Sequence, residues 1–217
     1  MRKLYFTAVL LLCTFLTYSQ TQWIGPAGGD WSTAANWSNG VPAAGNDALL
    51  TSTADVAINN PLIIDFGVTS FSGDIAVNAD VFNIGNFINS GGNISLSNGA
   101  LFLNSGAVTF TNDGPFSNDG TFLNYGTFQQ NGNGVFDNNP TGRFINYGNI
   151  TNVGNFNNNG TVENFGALTN ASTFVNNAQT INCGQFINTF VSTLDNNAGA
   201  TFLNKAGAQL FIDKDFN

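Results

Sequence analysis

From Gly142 onward the chain repeats every six residues, in unbroken phase, for eight hexads. The first position reads Gly142, Gly148, Gly154, Gly160, Gly166, Ser172, Ala178, Gly184. The third reads Phe144, Ile150, Phe156, Val162, Leu168, Phe174, Thr180, Phe186. The fifth is invariant: Asn146, Asn152, Asn158, Asn164, Asn170, Asn176, Asn182, Asn188. All three positions have the same parity. In an extended chain alternate residues share a face, so glycine, apolar residue and asparagine point one way and the mostly polar remainder points the other. A helix would scatter a six-residue period around its axis, and this much glycine would weaken it.

Each hexad therefore predicts one short strand and one corner. Asn and Gly are poor strand formers but suit bends, Asn by tolerating the left-handed region and Gly by lacking a Cβ. A chain that turns the same way every six residues winds into a coil, and successive coils pair as parallel sheets. The expected fold is all-β: a right-handed parallel β-helix, or β-solenoid, of G-x-[FILV]-x-N-x hexads. Three sides per coil take about 18 residues and place Phe144 under Val162 and Ile150 under Leu168; the hexad alone leaves two-sided coils of about 12 open. The eight asparagines are the expected structural residues, stacked so that each amide donates to the next and to corner carbonyls.

The same unit recurs upstream with breaks: GNFINS from 85, ALFLNS from 100, GPFSND from 114, GTFLNY from 120 and GTFQQN from 126. Phase slips at 132–142 and 189–197 mark Asn139-Pro140 and Asn196-Asn197 as loops extruded at corners, where a solenoid carries specificity.

The first 20 residues read as a secretory signal peptide: Arg2 and Lys3, an apolar run from Leu4 to Leu16, then a small or polar exit. The run is too short to prefer a spanning helix, so the mature chain is expected to be secreted or at the cell surface, with no membrane insertion. Cys13 lies inside the apolar run rather than ending it, unlike a lipid-anchor cysteine. Cleavage leaves Cys183 as the only thiol, which precludes an intramolecular disulfide and makes it a plain surface residue or an interchain partner. Cleavage also leaves three basic residues (Arg143, Lys205, Lys214) against 13 acidic ones, a net charge of about −10. Nucleic-acid binding needs clustered Lys and Arg, so that partner is excluded, and an anionic membrane would repel the chain. Only 8% of residues are charged, yet there are 21 Phe and 36 Asn, a composition unlike that of a disordered chain.

All three tryptophans lie in residues 21–60, ahead of the repeats assigned to 61–217. A solenoid exposes unpaired strand edges at its ends, and a Trp-rich segment would cap the first. The pattern W-x-G…GDW-S-x-A-x-N-W-S-x-G-x-P…D runs through Trp23, Gly25, Trp31, Asn36, Trp37, Gly40, Pro42 and Asp47. It resembles the start of secreted bacterial β-helix proteins, including filamentous-haemagglutinin-like and autotransporter-type adhesins and large surface proteins of the Bacteroidetes. The resemblance covers about 30 residues and implies a right-handed β-helix at the cell surface. The N-x-G-x-F-x repeats are similar to repeats of the same proteins. The chain departs from that family in ending at FIDKDFN, with no sorting or barrel domain after it.

Histidine is absent, which excludes a His-based triad and a His-metal cluster. Glu163 is the only glutamate and no carboxylate pair suggests a glycosidase, so no catalytic residue, cofactor or enzymatic activity is expected. Asp113 and Asp119, in matching N-D-G corners, are weak calcium candidates, although turn chemistry alone explains them. Outward threonines stacked to order ice are not seen in the second hexad position. The expected function is an extracellular stalk or adhesin segment, with a surface glycan or a host or neighbour-cell protein as partner. Asn217 follows the last repeat with no evident cap, which leaves two expectations open: a segment of a larger adhesin, or an open edge that meets a partner, including end-to-end self-association. The alternative is a carbohydrate-binding module using Trp23, Trp31 and Trp37, or an Asn-rich face.

Overall fold

The computed structural model describes residues 19–51, 55–70, 73–106 and 108–213. The expected signal peptide falls outside them except at Ser19 and Gln20, and Cys13 lies outside as well. The described chain forms short strands and one 3-10 turn, Ala34–Asn36. The strands assemble into three parallel sheets of ten, nine and eight strands, numbered I, II and III here. Regular winding starts with Asn46–Leu50 on sheet I, Val56–Ile58 on II and Leu62–Ile64 on III. The order I, II, III then repeats to Thr201–Asn204, giving eight three-sided coils, and Gln209–Ile212 adds a last strand to sheet I. Phe144 pairs with Val162 and Ile150 with Leu168, which settles three sides over two. The first coil thus starts inside the 21–60 span.

A typical strand is four residues long and alternates outward and inward, as in Thr161–Asn164. Its second residue is the apolar one and its fourth the asparagine, and both point into the rod. Two residues then turn the corner, such as Tyr147 and Gly148 between Arg143–Asn146 and Asn149–Asn152. The phase slips are corners with two extra residues. The N–H of Gly134 donates to Asn131 O (3.0 Å), that of Gly142 to Asn139 O (2.8 Å) and that of Ser192 to Thr189 O (3.0 Å). They are tight four-residue turns rather than long loops, which keeps the coils in register above and below.

The glycine corners work for a different reason than the sequence suggested. No described non-glycine residue has positive φ, and the hexad glycines have none either. A Cβ on Gly148 would instead collide with the carbonyl oxygens of Gly126 and Tyr125, and one on Gly166 with those of Gly148 and Tyr147. Close approach of stacked corners, rather than left-handed backbone, selects glycine there.

Apolar columns fill the rod. On sheet II, Phe116, Phe136, Phe156 and Phe174 stack at 5.0, 4.7 and 4.9 Å between ring centroids. On sheet III, Phe102, Phe122 and Phe144 stack at 5.3 and 5.1 Å. The columns meet edge to face, as Phe136 and Phe144 do at 88°. Burying each ring contributes about 1.5–3 kcal/mol, and aromatic pairing adds to that.

The tryptophans cap the first coil. Trp37 contacts Trp23 and Trp31 at 5.0 and 4.7 Å, edge to face. Its Nε1–H donates to Trp31 O at 2.8 Å, and Phe66 stacks against Trp31 from the coil beyond.

Candidate functional surfaces

The eight asparagines of the hexads divide among three ladders. On sheet III, Asn146 Nδ2 donates to Asn164 Oδ1, Asn164 to Asn182 and Asn182 to Asn204, at 2.8, 2.8 and 2.6 Å. On sheet I, Asn152 donates to Asn170 and Asn170 to Asn188, both at 2.7 Å. On sheet II, Asn158 donates to Asn176 at 2.8 Å and Asn176 to Asn196 at 2.6 Å. Every bond runs the same way, from amide nitrogen to the oxygen one coil nearer the C-terminus. The second N–H reaches corner carbonyls; Asn146, for example, contacts Gly148 O and Ala167 O at 3.0 and 3.2 Å. A buried amide would be costly if left unpaired, and aligned amides polarise one another.

The ladders extend upstream through Asn83, Asn104 and Asn124 on sheet III and through Asn118 and Asn138 on sheet II. Buried side-chain oxygens without a partner occur where a ladder starts, at Asn83, Asn89 and Asn118; at the top of sheet I the Asn188 amide nitrogen has none. These residues sit over or under Ile64, Ser70, Leu96 and Ile212 respectively.

Asp113 and Asp119 do not come together. Asp113 lies at the corner between sheets I and II, and Asp119 at the corner between II and III. Each ties down the corner of the following coil. The Asp113 carboxylate accepts from the Asn133 N–H at 3.3 Å. Asp119 accepts from Asn139 Nδ2 at 2.9 Å and from the Thr141 hydroxyl at 3.3 Å, and so fixes Asn139-Pro140. The Asn196-Asn197 corner is held through Asn197, whose amide donates to Asn177, which donates to Asn159. No cluster of three or more His, Cys, Asp or Glu able to hold a metal occurs among the described residues.

The three indoles are about 2–3% exposed. Stacking on a sugar ring needs an open indole face, and none of the three presents one.

Corner by corner, the outward residues form columns that the linear hexad conceals. The II–III corner carries Asn59, Asn78, Ser97, Asp119, Asn139, Asn159, Asn177 and Asn197, one per coil. The III–I corner carries Asp65, Ile84, Ser105, Tyr125, Tyr147, Phe165, Cys183 and Lys205. Tyr125, Tyr147 and Phe165 stack there at 5.0 and 4.8 Å with planes within 10° of parallel. The signal lay in the sixth hexad position read at every third repeat: Tyr147, Phe165 and Cys183 belong to one column, Asn159 and Asn177 to another.

Arg143 and Glu163 pair across adjacent coils of sheet III, Nη2 to Oε1 at 2.7 Å. At the cap, a cleft of about 40 Å³ is lined by Asp30, Ser32, Asn59 and Pro61, among others. Ligand pockets span roughly 300–1,000 Å³, so the cleft holds little beyond water. Hydrogen bonds from the Ser32 hydroxyl, Asn59 and the Ser32 N–H hold the Asp30 carboxyl below its ordinary range. No family model matches the chain, and neither does any curated protein or solved structure.

Proposed function

We propose that the chain is an exported, non-enzymatic structural or adhesive module: a stiff rod at or beyond the cell surface that presents its flat sides and corners to partners. One observation carries this reading. The interior is filled end to end by apolar columns and amide ladders, so the chemistry available to a partner lies on the outside, in columns repeating once per coil. Eight coils at roughly 4.8 Å make a body on the order of 40 Å long. The absence of histidine and the pairing of the only glutamate with Arg143 favour a non-catalytic role. Export rests on the N-terminal Arg2, Lys3 and apolar run.

A surface glycan or a protein of a neighbouring cell would be met by the outer columns. The amide-rich II–III corner is the Asn-rich element open to a glycan, since the tryptophans are packed inside. The test is expression in a bacterial host with the natural N-terminus, followed by mass spectrometry of the mature chain and protease shaving of intact cells. A mature start near Ser19 or Gln20 and release by shaving are expected. An uncleaved chain retained in the cytoplasm would overturn the reading.

A further inference from the structure

We propose that the III–I edge of the rod pairs two copies of this chain side by side. The edge carries the stacked rings of Tyr125, Tyr147 and Phe165, which are 47, 47 and 41% exposed. Beside them on the outward side of sheet III run Leu123 and Ile145, in register one coil apart. Ile145 points outward yet is only 8% exposed, in register between Leu123 and Glu163. An exposed apolar edge of this kind on a rod with few charges marks an interaction surface.

Charge identifies the occupant. The chain carries 13 carboxylates against five basic residues, so two copies repel unless they meet where the acid is missing. Asp47 on sheet I and Asp65 at the III–I corner belong to the first coil; in the coils after it every described aspartate, from Asp74 and Asp80 to Asp195 and Asp213, lies on sheet II or on the corners bounding it. Sheet I carries none there, and sheet III has only Glu163, neutralised by Arg143. The III–I edge is thus the side on which a second acidic rod can approach, with both sheets II turned away. Its extent is adequate for a weak dimer: the seven coils after the first span roughly 35 Å, which at a width of about 15–20 Å gives on the order of 500–700 Å² per partner, a little below the area of a standard interface. This inference rests on the charge and packing of the fold and not on export.

Sedimentation velocity on the purified chain tests it. A dimer is expected at concentrations of about 100 μM, tightening as added salt screens the acidic faces. Tyr147→Glu should weaken it about tenfold or more, whereas Val191→Glu, at the exposed I–II turn, should leave it unchanged. The double replacement Tyr125→Ser and Tyr147→Ser, with far-UV circular dichroism as the check on folding, should weaken it too. A chain monomeric up to about 1 mM overturns the proposal. So does a dimer that resists both edge variants but falls apart in Phe211→Glu, which would place the contact at the last coil, or one that weakens with salt.

Discussion

Gln130 and Asn152 occupy the same position on adjacent coils of sheet I, yet they share no side-chain bond. Gln130 accepts from Asn112 at 2.9 Å through Oε1, but its Nε2 and the Asn152 oxygen both lack a partner. One extra methylene has broken the sheet I ladder in two. The four-residue turn that follows does not demand glutamine, because Asn104 and Asn138 precede turns of the same length and keep their ladders intact. Gln130→Asn should therefore join the two halves and stabilise the chain by about 1 kcal/mol, the gain from two satisfied groups less one buried methylene. Urea denaturation reads the difference, and a less stable variant would contradict the ladder geometry.

The glycine corners make a second prediction with an internal control. Gly166→Ala puts a methyl against the backbone oxygens of Gly148 and Tyr147 and should cost about 1–3 kcal/mol. Gly132, in a turn with open space around it and no positive φ, should accept alanine within about 0.5 kcal/mol. Equal effects at both sites would mean that close stacking of corners is not what selects glycine.

Acid should loosen the cap before the rod. The Asp30 carboxyl is held below its ordinary value by its hydrogen bonds to Ser32 and Asn59. Its contribution is present above the unfolded-state value of about 3.9 and is lost as pH falls below it toward the lowered folded value. Solvent exposure keeps the effect small. All three tryptophans sit in the cap, so their emission follows that element alone. The urea midpoint by tryptophan emission should drop between neutral pH and pH values below about 4, and Asp30→Asn should reduce the drop. An identical pH response in Asp30→Asn would contradict the assignment.

The repeat made much of this molecule legible. Shared parity of Gly142, Phe144 and Asn146 implied inward side chains, and the observed pairings of Phe144 with Val162 and Ile150 with Leu168 follow from three hexads per coil. The role of glycine is ambiguous in the sequence because a composition rich in Asn and Gly suits left-handed turns as well as close stacking, and only the contact of Gly148 with the coil below separates them. Asp113 and Asp119 share a motif, but six residues is one side of a triangle, which sends them to different corners. The aromatic edge is hidden in the linear sequence because Tyr125, Tyr147 and Phe165 alternate along the chain with residues of two other corners.

Whether buried amide ladders hold the coils together is tested most directly at Asn146, in the middle of the longest ladder. Asn146→Leu keeps the branched shape in a somewhat larger, apolar side chain, but leaves the Asn164 side-chain oxygen without its donor and the Asn124 amide without its Asn146 acceptor, and removes a donor from the Gly148 and Ala167 carbonyls. Equilibrium urea unfolding of the variant against the parent chain should show a loss of about 2–4 kcal/mol, at roughly 1–3 kcal/mol per orphaned group. A variant as stable as the parent, or more so, would mean that the apolar columns alone hold the rod and that the asparagines are incidental to it.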